Sequence, residues 1–336
     1  MLMSNKGSTF SAIGLLALLM AAPAAAQQTH VAVIVGLGGE PEHADAFRRW
    51  AGSLVDHATG RLDIPRDRIL YLVEDPAQDA ERSPGKSTKD AVAKGLGVIG
   101  AAAAPDDVVF ITLIGHGTWD GKVAKFNLPG PDMTAADFAA ILERFTTKNI
   151  VFVNTASASG PFVSALSGVA RVVVTATRSG AEQFATVFGG YFIDALAGET
   201  ADADKNRRIS VLEAFNAAKI EVARVYQQRG IMLTERALLE DSGDGEGSME
   251  PAVNGQNGSV AAILSMGAPK EALALPSDPQ LRQLYEERRV LEQKAESLKL
   301  LKASLPPAQY AAELEQVLTD LARKSQQIRA LEGKGK

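Results

Sequence analysis

Five short apolar runs, separated by amphipathic stretches, constrain the fold of this chain more than any other feature. Val, Ile and Leu dominate the runs, which cover residues 30–36, 69–73, 108–114, 150–154 and 171–176. Strands have this composition when both faces of their sheet are covered. The stretches between the runs have the apolar spacing of helices, at 44–58, 87–103, 134–145 and 161–166. The alternation predicts an α/β fold in three layers, with helices on both faces of a mainly parallel sheet.

The chain after residue 176 adds helices and then changes character. Helical spacing recurs near 188–196 and 210–228, and an apolar run at 260–266 predicts a last strand that closes the sheet. The prolines within 267–279 indicate a linker. Residues 280–332 follow a heptad pattern that Pro306 and Pro307 interrupt. We therefore expect a coiled-coil-like helical hairpin at the C-terminus, alone or paired with another copy or a partner.

The first 26 residues have the pattern of a secretory signal peptide. Lys6 precedes an apolar stretch at 10–22, and small residues lead to Ala26. Because the stretch is shorter than the ~20 residues of a membrane span, we expect cleavage after Ala26 rather than an anchor. The mature protein is then expected in the periplasm or outside the cell, with no membrane span. The chain has no cysteine, which excludes disulfides and a lipid-modified cysteine.

The charge balance argues against a nucleic-acid partner. Lys and Arg number 35 against 40 Asp and Glu, which gives a net charge of −5 at pH 7. The sequence also has no cluster of Lys and Arg that would form a positive patch despite the negative net charge.

Two polar motifs follow the third and fourth apolar runs. Ile114-Gly115-His116-Gly117 ends one run, and the sequence NTASASG, from Asn154 to Gly160, ends the next. Parallel sheets place their chemistry beyond the carboxyl ends of the strands, near the point where strand order reverses. We therefore expect His116 and Ser157 on the same edge of the sheet.

These motifs together resemble the caspase-like cysteine peptidases, and the legumain (C13) type in particular. In that family a His-Gly follows one buried strand and an Ala-Cys-x-Ser-Gly follows the next. The first strand and its glycine-rich loop, 33–39, followed by His43-Ala44-Asp45, are similar to the legumain opening. The resemblance covers roughly residues 29–200. It implies a caspase-like domain at 27–266, proteolysis as the ancestral activity, a peptide or protein ligand, and no required cofactor.

Carried over residue by residue, the resemblance assigns His116 as the catalytic histidine and Gly117 as the backbone donor of the oxyanion hole. Ser157 stands at the position of the nucleophilic cysteine. Gly36, Gly39 and Arg178 are the candidate binding residues. Legumains use an arginine of the first loop in the pocket for asparagine, whereas this chain has Pro41-Glu42 there, so legumain specificity does not carry over.

The serine leaves two functions open. A thiol is partly ionised at neutral pH, whereas a hydroxyl needs a base within hydrogen-bond reach and usually a third group that orients the base. No Asp or Glu lies within three residues of His116, and Asp120 is the nearest candidate. One hypothesis is therefore a pseudopeptidase that acts by binding or assembly, with Ser157 as a turn residue and with Ser159 and Gly160 serving the cap of the next helix. The alternative is an active hydrolase that uses Ser157 with His116 as its base. A third hypothesis does not depend on the serine: the C-terminal hairpin is the functional part, and the large domain is its scaffold.

An acidic segment has the spacing of a calcium-binding loop. The candidate ligands occupy every ligand position of the D-x-[DN]-x-[DN]-G-x5-E pattern and are Asp202, Asp204, Asn206, Arg208, Ser210 and Glu213. The sixth position, normally glycine, is Arg207, where a left-handed turn costs about 1–2 kcal/mol. The same residues also read as a capping box, from Ser210 to Glu213, for the following helix. A second acidic stretch, 241–247, is either another ion site or a solvated turn.

Overall fold

The computed structural model describes residues 27–332 except 83, 199, 268–275, 277, 301 and 303–304. The expected signal peptide and most of the expected linker lie outside the described residues. The strands are β1 Thr29–Val35, β2 Ile69–Val73, β3 Gly85–Lys86, β4 Val108–Ile114, β5 Gly117–Trp119, β6 Ala124–Phe126, β7 Met133–Thr134, β8 Ile150–Asn154, β9 Arg171–Thr175 and β10 Leu238–Glu240. The helices are α1 Pro41–Asp56, α2 Lys89–Ala102, α3 Ala135–Leu142, α4 Phe162–Leu166, α5 Phe188–Ala197, α6 Val211–Arg229, α7 Pro279–Leu300 and α8 Pro307–Glu332.

The central sheet has the order β10-β9-β8-β4-β1-β2-β3. All of its neighbours pair in parallel except β10, which runs antiparallel to β9. After β1 the chain adds strands first on one side and then on the other. Strand order therefore reverses between β1 and β4, and in an open parallel sheet this is the point where a crevice forms.

Alternate residues of each strand face opposite layers, as the pleat of a strand requires. Val31 and Val33 face the layer that includes α1, α5 and α6, whereas Ala32 and Ile34 face the layer of α2, α3 and α4. All four side chains are fully buried. Because both faces are covered, the strands read as continuous apolar runs, and the predicted three-layer α/β fold is confirmed.

The prediction for residues 260–266 is wrong. They form turns, and within them only Ser265 makes a bridge, to Ser210. The turn is fixed because the buried carboxylate of Asp241 accepts hydrogen bonds from the backbone N–H groups of Gly258, Val260 and Ala261 at 2.7–2.8 Å. Ala261, Leu264 and Met266 of this segment are buried against the α5–α6 layer. The edge strand is β10 instead.

A small antiparallel sheet, β5-β6-β7, is joined to the loops that flank the reversal point. Asn127, which follows β6, accepts a hydrogen bond from Leu37 N at 3.0 Å and donates one to the carbonyl of His116 at 3.0 Å. It thereby joins the loop after β1 to the loop after β4. A Cβ atom on Gly36 would lie 2.3 Å from the Asn127 carbonyl oxygen, so this contact requires glycine.

The C-terminal helices α7 and α8 form an antiparallel pair, as predicted. Ala295, Leu298 and Val317 are buried between them. The Tyr285 hydroxyl near the start of α7 donates to Glu332 at the end of α8 at 2.7 Å. None of the helices that the structure describes is long and apolar enough to cross a membrane.

Candidate functional site

The structure places His116 and Ser157 beyond the carboxyl ends of two adjacent strands, β4 and β8. The backbones of their two loops touch. A Cβ atom on Gly117 would lie 2.3 Å from the carbonyl oxygen of Ser157, which no real side chain tolerates. The glycine after His116 is therefore needed for the two loops to approach. Ala158, next to Ser157, has a φ of 53°, a left-handed conformation that is costly for alanine.

The Ser157 hydroxyl is buried and hydrogen-bonded to Gly117. The residue is 3% exposed. Its Oγ donates to the carbonyl oxygen of Gly117 at 3.0 Å and accepts from the backbone N–H of the same residue at 3.1 Å. The N–H that the family resemblance assigns to the oxyanion hole thus binds the serine itself.

His116 is oriented by a backbone carbonyl. Its Nε2 lies 3.1 Å from the carbonyl oxygen of Gly38, in the loop after β1. Because a carbonyl can only accept, Nε2 carries the proton, and the neutral ring keeps Nδ1 as its proton acceptor. The ring makes edge contacts with Phe47 and His43 of α1, at centroid distances of 5.1 and 5.0 Å. Burial lowers the pKa of His116, the nearby charge of His43 lowers it further, and the hydrogen bond to Gly38 opposes both.

The sequence suggested the wrong orienting group for His116. The Asp120 carboxylate accepts hydrogen bonds from the backbone of its own turn, at Lys122 and Val123, and the residue is exposed. No hydrogen bond joins His116 to Ser157, both of which the structure describes. The Gly38 carbonyl had no signal in the sequence, because every residue carries one.

The loop after β9 is fastened to the serine loop. Ser159 Oγ lies 3.2 Å from Thr177 Oγ1, and that hydroxyl accepts a hydrogen bond from Gly160 N at 3.0 Å. The backbone N–H of Ala158 donates to the Glu182 carbonyl at 2.8 Å. The expected helix-cap role of Ser159 is therefore wrong for its side chain, since no side chain caps α4. The sequence did not predict that Thr177 and Glu182 would contact the serine loop.

The candidate binding residues divide between two places. Gly36 and Gly39 line a cleft of about 390 Å³ between β1, α1 and the end of β2. Gly39 has a φ of +66°, and a Cβ atom there would lie 3.9 Å from the His116 ring. Arg178 is exposed, and its backbone N–H donates to the Glu182 carboxylate at 2.9 Å.

The structure brings together part of the calcium-loop pattern. Carboxylate oxygens of Asp202, Asp204 and Glu213 lie within 4.8 Å of one another, and among the described residues no other His, Cys, Asp or Glu group of this kind is found. Arg207 takes the left-handed turn, with a φ of 66°. These oxygens suit a hard cation.

The other candidate ligands of the calcium loop have local partners. Ser210 makes a capping box with Glu213 at the start of α6. Asn206 Oδ1 accepts from the backbone N–H of Arg208 at 2.7 Å. The ion site and the helix cap thus share Glu213.

The second acidic stretch, 241–247, is a hydrogen-bonded turn. The Asp244 carboxylate accepts from Glu246 N at 2.7 Å. Gly243 and Gly245 have φ values of 83° and 84°. Asp241 is buried and holds the segment after it, as described above.

A mainly parallel sheet with a His-Gly after one central strand and a serine turn after the next is consistent with the caspase-like class of folds. Within that class, the sequence profile of the Peptidase C13 family matches residues 87–238 of the chain. The matched segment contains both His116 and Ser157, and it excludes β1 and the Gly38 carbonyl. No curated protein matches the chain. The chain is therefore similar to the C13 peptidases over the part that carries the site.

Proposed function

We propose that this protein is an exported, non-catalytic homologue of the C13 peptidases, which acts by binding a peptide or protein at the edge of the sheet or by assembly. The observation that carries the proposal is the pair of hydrogen bonds between Ser157 and Gly117. The serine proton goes to the Gly117 carbonyl rather than to a base.

Three features of the site would oppose catalysis by this serine. Removing its proton through His116 requires the hydrogen bond to Gly117 to break first. The Gly117 N–H must also leave Ser157 Oγ before it can bind an oxyanion. An oxyanion donor that is lost typically costs 10²–10³ in rate. A hydroxyl also lacks the thiolate fraction that makes a cysteine reactive at neutral pH.

The second candidate, a serine hydrolase, is favoured by the state of His116. Burial lowers the pKa of the ring, which favours its neutral form, and Gly38 fixes the tautomer that leaves Nδ1 as the proton acceptor.

The deciding experiment combines an acyl-directed serine probe with peptide hydrolysis. We expect the wild type to be neither labelled nor active. Hydrolysis by the wild type that disappears in both Ser157→Ala and His116→Ala would overturn the proposal and establish the serine hydrolase.

A gain-of-reactivity test addresses the ancestry of the site. The chain has no cysteine, so Ser157→Cys carries the only thiol. Its alkylation by iodoacetamide should be fast at neutral pH and should slow when His116→Ala is added. Ser164→Cys is the matched control, because Ser164 is exposed in α4 and its reactivity should not respond to His116. If the Ser157→Cys protein is alkylated at the same rate with and without His116, this would contradict the hypothesis that the edge of the sheet derives from a peptidase active site.

A further inference from the structure

We propose that Glu74 is a positioning residue for His116, which it holds through the backbone of Gly38. The inference rests on the proposed function, because it treats His116 and Ser157 at the edge of the sheet as a site derived from a peptidase. Glu74 and Gly38 precede position 87 and so lie outside the segment that matches the C13 profile, whereas His116 lies inside it.

The contacts form a continuous chain. Glu74 follows β2 directly, and its Oε2 accepts a hydrogen bond from Gly38 N at 2.9 Å. The carbonyl oxygen of the same residue then accepts from His116 Nε2 at 3.1 Å. One residue, Gly38, thus links the carboxylate at the end of β2 to the imidazole after β4.

The loop needs such an anchor. It contains glycine at three of its four positions, 36–39, and glycine loses the most conformational freedom on ordering. Gly38 packs so closely on α1 that a Cβ atom would lie 2.6 Å from Ala44 Cα. Apart from His116 itself, Glu74 is the side chain that hydrogen-bonds the backbone of this loop among the described residues. A bond from an N–H to an ionised carboxylate is about twice as strong as one between neutral groups.

Glu74 could instead act on His116 as a negative charge. The titratable group in direct contact with the ring is His43 of α1. Glu74→Gln separates the two explanations, because glutamine keeps an oxygen acceptor for Gly38 N and loses the charge. Glu74→Ala loses both. Asp75→Ala is the matched control, since Asp75 lies next to Glu74 on the same cleft and its carboxylate bonds its own turn, at Ala77 and Gln78.

The first measurement is NMR of His116 in otherwise unmodified protein. In the wild type, in Glu74→Gln and in Asp75→Ala, the Nε2 proton should be protected from exchange and visible. In Glu74→Ala it should be lost. A visible Nε2 proton in folded Glu74→Ala would overturn the inference, and so would its loss in Glu74→Gln, which would assign the effect to charge.

The wild type alone also tests the anchor. The amide proton of Gly38 should be protected from hydrogen exchange, and exchange at the rate of an open loop would overturn the inference even if Glu74→Ala failed to fold.

The second measurement places the same changes in the Ser157→Cys protein. Glu74→Ala should slow alkylation roughly tenfold or more, since a 1 Å misplacement of a catalytic group can cost ~10²-fold. Glu74→Gln and Asp75→Ala should match their parent. If alkylation depends on His116 but not on Glu74, the inference fails and the proposed function stands. If alkylation does not depend on His116, the proposed function fails, and the NMR result decides the positioning role.

Discussion

Ser157→Ala should destabilise the folded protein, because the hydroxyl serves the fold. The structure gives the hydroxyl two hydrogen bonds to Gly117, both in a buried setting. At about 0.5–1.5 kcal/mol net for each bond, their loss should lower the free energy of unfolding by about 1–3 kcal/mol. Stabilisation of this kind is not expected of a nucleophile, since catalytic residues are commonly held at a cost in stability.

Urea denaturation at pH 7 measures the effect as a fall in the transition midpoint at unchanged slope. Ser164→Ala is the control, because Ser164 is exposed in α4 and surface changes are usually within about 0.5 kcal/mol. A Ser157→Ala protein as stable as the wild type, or more stable, would refute the argument that the hydroxyl is structural. It would favour the serine hydrolase.

Three further outcomes are expected. Millimolar calcium should raise the Tm, by the equivalent of about 2.7 kcal/mol at 100 times the dissociation constant, and Glu213→Gln should abolish the rise; no shift would leave the capping box as the role of Glu213. The lowered pKa of His116 means that the unfolded chain takes up a proton below pH 6.5 while the folded protein resists it, so stability is lost as the pH falls through that range. His116→Gln should therefore reduce the loss of stability between pH 7 and 5 relative to the wild type, and parallel pH profiles would count against it. Intact-mass analysis of exported protein should show a chain that begins at Gln27, and a mass that includes Met1 to Ala26 would mean an anchored form.

The sequence could predict the features that depend on side-chain pattern. The central strands could be predicted because strands that are buried on both faces have nearly continuous apolar runs in the sequence. The placement of His116 and Ser157 at one edge followed from the parallel order of those strands. The same pattern gave a wrong prediction for residues 260–266, because an apolar turn that packs under a helix has the composition of a buried strand. The three-residue strand β10 was too short to have a pattern of its own.

The contacts that decide the function of the site could not be predicted in the same way. Gly38 acts on His116 through its carbonyl, and Gly117 binds Ser157 through both of its backbone groups. Backbone atoms are identical at every position, so only the three-dimensional path of the chain shows which of them meet. The glycines themselves were visible, but their partners were not.

The surroundings of His116 and of Ser157 suit different roles. The surroundings of His116 are those of a working base, with a fixed tautomer, an aromatic contact to Phe47 and a pKa lowered by burial. The surroundings of Ser157 are those of a structural residue, with its proton and one of its two lone pairs used by Gly117. The proposed function follows from this difference: with His116 in place and the Ser157 hydroxyl bound to Gly117, the edge of the sheet would keep a shape that holds a peptide. It would lack the free oxyanion donor and the ionised nucleophile that cleavage requires.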